Sequence, residues 1–243
     1  MNTELHPLLD YGLNESLALM NLGFSDYFVP IQLTLPIYLN MSRAESVDFN
    51  ISRVIFVDDE AVGVALIARR GWTSRLAAMS ISPASRGRGA GRAAMSFLLA
   101  EASARGDRSM TLEVIEINLP AVRLYKSCGF KTQRRLISYE GAFPAKEFTG
   151  NMPELKEVDI REVAALVTAH GLNELPWQVS GESLAQSNPP GKAYQMDDAY
   201  MVISNPNAER IAIRSILVKP ESRGQQKAKR LIESVTQKHP SEK

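Results

Sequence analysis

The 243 residues contain one cysteine, Cys128, and three widely separated histidines, His6, His170 and His239. A lone thiol closes no intrachain disulfide, and no CxxC or Cys/His cluster has the spacing of a zinc site, so neither a covalent staple nor a metal is expected. The shortage of cysteine suits a reducing, cytoplasmic setting. Charge of one sign is also lacking. The chain has 28 Lys and Arg against 27 Asp and Glu, interspersed to a net +1, which argues against nucleic acid as a partner. No apolar run reaches the ~20 residues of a membrane span, and Glu4 and Asp10 stand where a leader would be basic, so no membrane partner is expected. What is present is apolar material: 44% of residues are hydrophobic, enough for one large or two small cores.

Leu5, Leu8, Leu9, Leu13, Leu17 and Met20 recur at helical spacing up to Gly23, and Leu33, Ile37, Tyr38 and Met41 do so again, predicting a helical N-terminal block. The pattern then changes. Val54–Val57, the turn residues Asp58-Asp59-Glu60 and Val62–Ala68 read as a β-hairpin, and Leu76–Ile81 as a further strand. Beyond Ser82-Pro83 lies RGRGAG at Arg86–Gly91, then a helix carrying Ala94, Phe97, Leu98 and Ala102 on one face, stopped at Gly106. Met110–Ile117 is expected to be a strand. Asn118 caps the next helix, Pro120 falls in its first turn, and Ala121, Leu124, Tyr125 and Cys128 share a face until Gly129, after which Phe130 starts a last strand.

Gly141–Pro153 is the best candidate for a linker, dividing the chain into residues 1–140 and 154–243, and a new βα pattern starts at Leu155. The segment KPESRGQQKAK at Lys219–Lys229 repeats SPASRGRGAGR at Ser82–Arg92 with a constant offset of 137 residues, which duplication explains most simply. The second copy has Gln226 and Ala228 where the first has Gly89 and Gly91.

Backbone that approaches a diphosphate must present bare N–H groups, which Gly87, Gly89 and Gly91 permit, and the helix N-terminus behind them adds unpaired donors. Arg86, Arg88 and Arg92 can add charge-assisted bonds. A P-loop is excluded because no Lys-Ser/Thr follows these glycines. Gly89-Ala90-Gly91-Arg92-Ala93-Ala94 satisfies the dinucleotide pattern GxGxxA, with Glu113 or Glu116 at about the distance a ribose carboxylate requires. The order of elements disagrees: a hairpin and a helical block come first, and only one further βα unit follows.

Arg86-x-x-Gly89-x-Gly91 behind a strand ending in Ile81-Ser82-Pro83 resembles the acetyl-coenzyme A motif of the GNAT acetyltransferase superfamily. Asn118-x-x-Ala121-x-x-x-Tyr125-x-x-x-Gly129-Phe130 resembles the family's second signature. The resemblance covers about residues 3–140, and the second half only through its loop. It implies an α/β (α+β) GNAT fold, a mixed sheet with two parallel strands splayed into a V-shaped gap, followed by a shorter, degenerate GNAT-like half. It implies acetyl-coenzyme A as co-substrate, held by the Met79–Ser82 backbone (Ile81 and Ser82 foremost) and by Arg86, Gly87, Arg88, Gly89, Ala90, Gly91 and Arg92. The implied reaction is direct transfer of acetyl to a primary amine, a small molecule or a protein N-terminus, with no metal. The alternative is a non-enzymatic acyl-coenzyme A-binding or interaction module on the same fold.

An alkyl amine with a pKa of about 10.4 arrives protonated at neutral pH, so a proton acceptor helps. Glu113, twelve residues before Tyr125, has the spacing of a base used in some relatives, with a solvated or salt-bridged strand residue, or a water as the base, as the other readings. By strand alternation Glu116 points to the opposite face. The leaving thiol has a pKa of about 8.5, so a nearby phenol can donate a proton, and Tyr125 is that candidate. Asn118 caps a helix and in the family also bonds the pantetheine arm. Cys128 reads as a small buried residue. Phe24, Tyr27 and Tyr38 line either an acceptor pocket or the core. Monomer and homodimer both stay open, since tandem copies can imitate a dimer within one chain.

Overall fold

The computed structural model describes residues 2–141, 154–172 and 175–239, and the chain divides into two compact units, Met1–Arg135 and Leu136–Lys243. Of the linker candidate only Gly141 is described; residues 142–153 lie outside the described residues.

The first unit is built on a five-stranded sheet in the order β1 (Thr3–Pro7), β2 (Arg53–Val57), β3 (Glu60–Arg70), β4 (Thr73–Ile81) and β5 (Ser109–Thr111). The first four strands pair antiparallel and β4 pairs with β5 parallel. The hairpin between β2 and β3 turns on Asp58 and Asp59, both at positive φ (48° and 67°), a conformation that follows the right-handed twist of the flanking strands.

Helices cover both faces. α1 (Leu13–Gly23) and α2 (Leu35–Ala44) cover one, where Leu8, Met20, Tyr38, Val54, Val64 and Leu66 are buried together. α3 (Ala90–Ala104) covers the other, with Ala94, Met95 and Leu98 against Ile55, Ala65, Ile67 and Leu76. α4 (Leu119–Ser127) packs on the same core through Leu124 and Tyr125. Phe97, expected on the inner face of α3, is 40% exposed, and Met95 takes its place.

The N-terminal reading needs correction. The chain begins with β1, an edge strand in register with β2 from Thr3↔Val57 to Pro7↔Arg53, and the first helix starts only at Leu13. Leu5 and Leu8 recur at a spacing that suits a helix, but cross-strand bonds to an already buried β2 prevail over local periodicity. The strand expected over Met110–Ile117 is shorter, Ser109–Thr111, and Phe130 starts no strand among the described residues.

The short β5 shapes the site. Parallel pairing runs through Thr73↔Ser109, Ser74↔Met110 and Arg75↔Thr111; beyond that β4 continues to Ile81 with no partner on this side among the described residues. A β-bulge coincides with the parting: Leu66 opposes Ala78 and Ile67 opposes Leu76, so Ala77 is the extra residue. Asp107 closes the joined end of the fork. Its side chain is 1% exposed and accepts from Arg69 at 2.8 Å, Arg105 at 3.0 Å and the Ser74 hydroxyl.

The second unit is a four-stranded antiparallel sheet, β6 (Lys156–Val158), β7 (Lys192–Met196), β8 (Ala199–Ile203) and β9 (Ile213–Val218). α5 (Ile160–His170) and α6 (Gly181–Ala185) share one apolar cluster with it, and α7 (Lys227–Lys238) another. A strand, two helices, a three-strand meander, a 3-10 turn and a helix thus occur in the same order in both units. Among the described residues no helix is long and apolar enough to cross a membrane.

Candidate functional site

The loop between β4 and α3 starts with the 3-10 turn Pro83–Ser85 and passes through Gly87 (φ 74°) and Gly89 (φ 91°), left-handed positions where a side chain is strained. Gly89 is the N-cap of α3 and leaves the first turn uncapped by any side chain. The amides of Gly87, Arg88, Gly89, Ala90 and Gly91 have no acceptor among the described residues, and a Cβ built at Gly87 or Gly89 would meet nothing within 4 Å. Five successive free N–H groups at a helix N-terminus form a cradle for an anion. Arg88 and Arg92 flank it, exposed.

Two loop residues are also engaged within the fold. The Arg86 guanidinium is bonded on all three nitrogens. Nε donates to the Ile81 carbonyl at 2.9 Å, Nη2 to the Gly23 carbonyl at 2.5 Å, and Nη1 to Asp26 at 2.9 Å, so the side chain pins the loop to the ends of β4 and α1. Gly91 is small because of α4: a Cβ there would stand 3.1 Å from Leu124 Cδ2. Ala90, first residue of α3, is buried.

Along the open edge, Ser82 N–H bonds the Val62 carbonyl on β3 at 2.7 Å, so by alternation Met79 and Ile81 direct their amides away from β3, into the gap. An extended ligand arm can pair with this edge as an added strand.

Tyr125 lies on α4, its ring 6.0 Å from that of Phe130. Burial, reinforced by the neighbouring Tyr27 and Cys128, pushes its hydroxyl up to about 12, so the phenol keeps its proton across the physiological range. Asn118 caps α4 as expected, its Oδ1 accepting from the Ala121 amide at 3.3 Å. Glu113 lies two residues past the end of β5. Its Oε2 accepts from Arg75 Nε at 2.6 Å, and Arg75 Nη1 donates to Glu45, at the end of α2, at 2.5 Å. Glu113 therefore approaches the gap from the α1–α2 side, and Tyr125 packs with the α3–α4 core. Glu116 pairs instead with Arg135.

Of the aromatic candidates, Tyr38 is fully buried, stacked on Phe49 and 3.5 Å from the Ser16 hydroxyl, and belongs to the core. Phe24 and Tyr27 pack edge to face with ring centroids 5.0 Å apart, and Phe28 continues the cluster toward solvent. Arg75, the anchor of Glu113, was not legible: the apolar run begins one residue later, at Leu76. No group of three or more His, Cys, Asp or Glu side chains among the described residues is placed to hold a metal.

In the second unit Arg223 repeats the bonds of Arg86, Nε to the Val218 carbonyl at 3.1 Å and Nη2 to the His170 carbonyl at 2.7 Å, at the ends of β9 and α5. Gly224 (φ 78°) matches Gly87, but Gln226 holds the left-handed cap of α7. Lys227, where the first loop has Ala90, bonds Asp198 at 2.9 Å and the Ser222 hydroxyl at 3.0 Å.

An open parallel fork with an anion cradle at its rim can take an extended ligand that carries an anionic group. Residues 18–130, a little under half of the chain, match the acetyltransferase (GNAT) family, which supports a GNAT acetyltransferase domain there. A streptothricin acetyltransferase of Streptomyces lavendulae is 30% identical over 91 residues. That stretch is 37% of this chain and 48% of the relative, so the match spans about half of the relative's length. Among solved structures, a ribosomal-protein alanine N-acetyltransferase from Escherichia coli is 19% identical over 54% of this chain and 78% of its own, with a TM-score of 0.45. A Bacillus subtilis acetyltransferase in complex with CoA is 16% identical over 55% and 78%, with a TM-score of 0.42.

Proposed function

We propose that the first unit is an N-acetyltransferase that moves the acetyl group of acetyl-coenzyme A directly to a primary amine in a ternary complex. The observation that carries this reading is the run of five unpartnered amides from Gly87 to Gly91 at the rim of a fork whose β4 edge is open. The diphosphate of the co-substrate suits the cradle, Arg88 and Arg92 add charge, and the amides of Met79 and Ile81 suit the amide-containing arm. Acetyl-coenzyme A supplies an acyl group activated as a thioester. Glu113 accepts the proton of the incoming ammonium, leaving a neutral amine to attack. Tyr125 holds its proton toward the departing sulfur. Because its pKa of about 12 exceeds the ~8.5 of a thiol, it stabilises the developing thiolate as a hydrogen-bond donor more than it transfers a proton outright. Asn118 offers Nδ2 to the arm while its Oδ1 stays on the helix cap.

The relative's name makes streptothricin a first acceptor to test, beside lysine and a peptide N-terminus. We read residues 154–243 as a degenerate copy, supported by the shared order of elements and by Arg223; Gln226 and Lys227 stand where acetyl-coenzyme A binding needs Gly89 and Ala90. The test is thiol release from acetyl-coenzyme A with each acceptor, beside calorimetric titration of acetyl-coenzyme A and of NADH. Micromolar acetyl-coenzyme A binding with acceptor-dependent release supports the reading; no binding, or a preference for NADH, overturns it.

A further inference from the structure

The segment after Thr111 has no strand partner among the described residues, so no sheet bonding there fixes where the Glu113 side chain aims. One group does. Arg75, 3% exposed, belongs to the last parallel pair before the fork opens. Taking a guanidinium out of water is costly unless carboxylates meet it, and two do: Glu113 on Nε and Glu45 on Nη1, from different elements. The guanidinium is planar, so the two bonds leave it in a fixed plane and hold the carboxylates in a fixed relation. Oε2 of Glu113 is taken by Arg75, while Oε1 has no donor among the described residues, and the side chain keeps 28% exposure. One oxygen is anchored and the other is left for a proton.

We infer that Arg75 is a positioning residue for proton removal: it aims the free oxygen of Glu113 at the acceptor amine and links that carboxylate to the end of α2. The inference rests on the reading of Glu113 as proton acceptor. In the step it supports, an N–H bond of the ammonium breaks, its electron pair stays on nitrogen, and the proton passes to Oε1.

The experiment is a double-mutant cycle on the full chain with Glu113→Gln, Arg75→Gln and the pair, using the acceptor from the screen above that gives the fastest thiol release, with a thermal melt of each variant. We expect each single change to lower kcat by about 10²-fold, as loss of a general base does, with the KM for acetyl-coenzyme A within about twofold. The double variant loses no more than Glu113→Gln alone, and Arg75→Lys, which keeps the charge but not the fork, recovers part of the loss. Losses that multiply in the double variant, or a fall in acetyl-coenzyme A affinity parallel to the fall in kcat, make Arg75 a mere strut and overturn the inference. Unchanged turnover in Glu113→Gln overturns the base reading, and the inference with it. If Arg75→Gln does not fold, Arg75→Lys takes its place in the same cycle.

Discussion

Gly89 and Gln226, 137 residues apart, hold the same left-handed backbone at the N-caps of α3 and α7, with φ of 91° and 58°. A glycine takes this conformation freely, whereas a residue with a Cβ pays about 1 kcal/mol. Gln226→Gly should therefore raise the stability of the second unit by about 1 kcal/mol in urea or thermal unfolding. Gly89→Gln should lower it in the first by a similar amount and weaken acetyl-coenzyme A binding at least tenfold by calorimetry. Unchanged affinity in Gly89→Gln would remove this loop from the binding site.

Gly91 separates packing from ligand contact. In Gly91→Ala the new methyl stands 3.1 Å from Leu124 Cδ2, so this side chain of α4, one residue before Tyr125, must give by a few tenths of an ångström. The expected outcome is a several-fold fall in kcat with acetyl-coenzyme A affinity nearly intact, and recovery when Leu124→Ala makes room.

Tyr125→Phe keeps the packed ring and removes only the hydroxyl. Steady-state kinetics should show kcat down by at least tenfold with the acetyl-coenzyme A KM unchanged; normal turnover would refute the assignment. Because the folded-state value is raised from 10.0 to about 12, the phenol's contribution to stability is complete below pH ~10 and is lost as pH climbs toward 12. Alkaline unfolding followed by circular dichroism should accordingly be less steep in the variant.

Asp107 acts at the closed end of the fork. Burial alone would push its carboxyl up, but the bonds from Ser74, Arg69 and Arg105 outweigh it and hold the group below its ordinary 3.8. The stabilisation is complete above about pH 4 and is lost as pH falls through the lower folded value. Asp107→Asn should cost about 3 kcal/mol at neutral pH and flatten the acid limb of the stability curve, measured by urea unfolding at several pH values.

The parts of the fold legible from sequence were those specified locally. The β2–β3 turn, the glycine loop and α4 with its Asn118 cap and Gly129 stop each carry their instructions within a few residues. β1 escaped because its conformation is imposed by β2, some 50 residues away, and β5 proved short because a parallel strand ends where its neighbour bends at the Ala77 bulge. In the candidate site the Asn118 cap of α4 could be read in advance. The carbonyls that claim Arg86, and the Arg75 that claims Glu113, come from distant segments whose approach no local pattern encodes.

Arg86 gives that last point a thermodynamic consequence. With its guanidinium bound to Ile81, Gly23 and Asp26, the loop loses its conformational freedom when the chain folds, before any anion arrives. The ordering entropy is thus set against folding and not against association, so on the proposed reading an anion would meet amides already in place, and its capture would follow encounter without waiting for the loop to close.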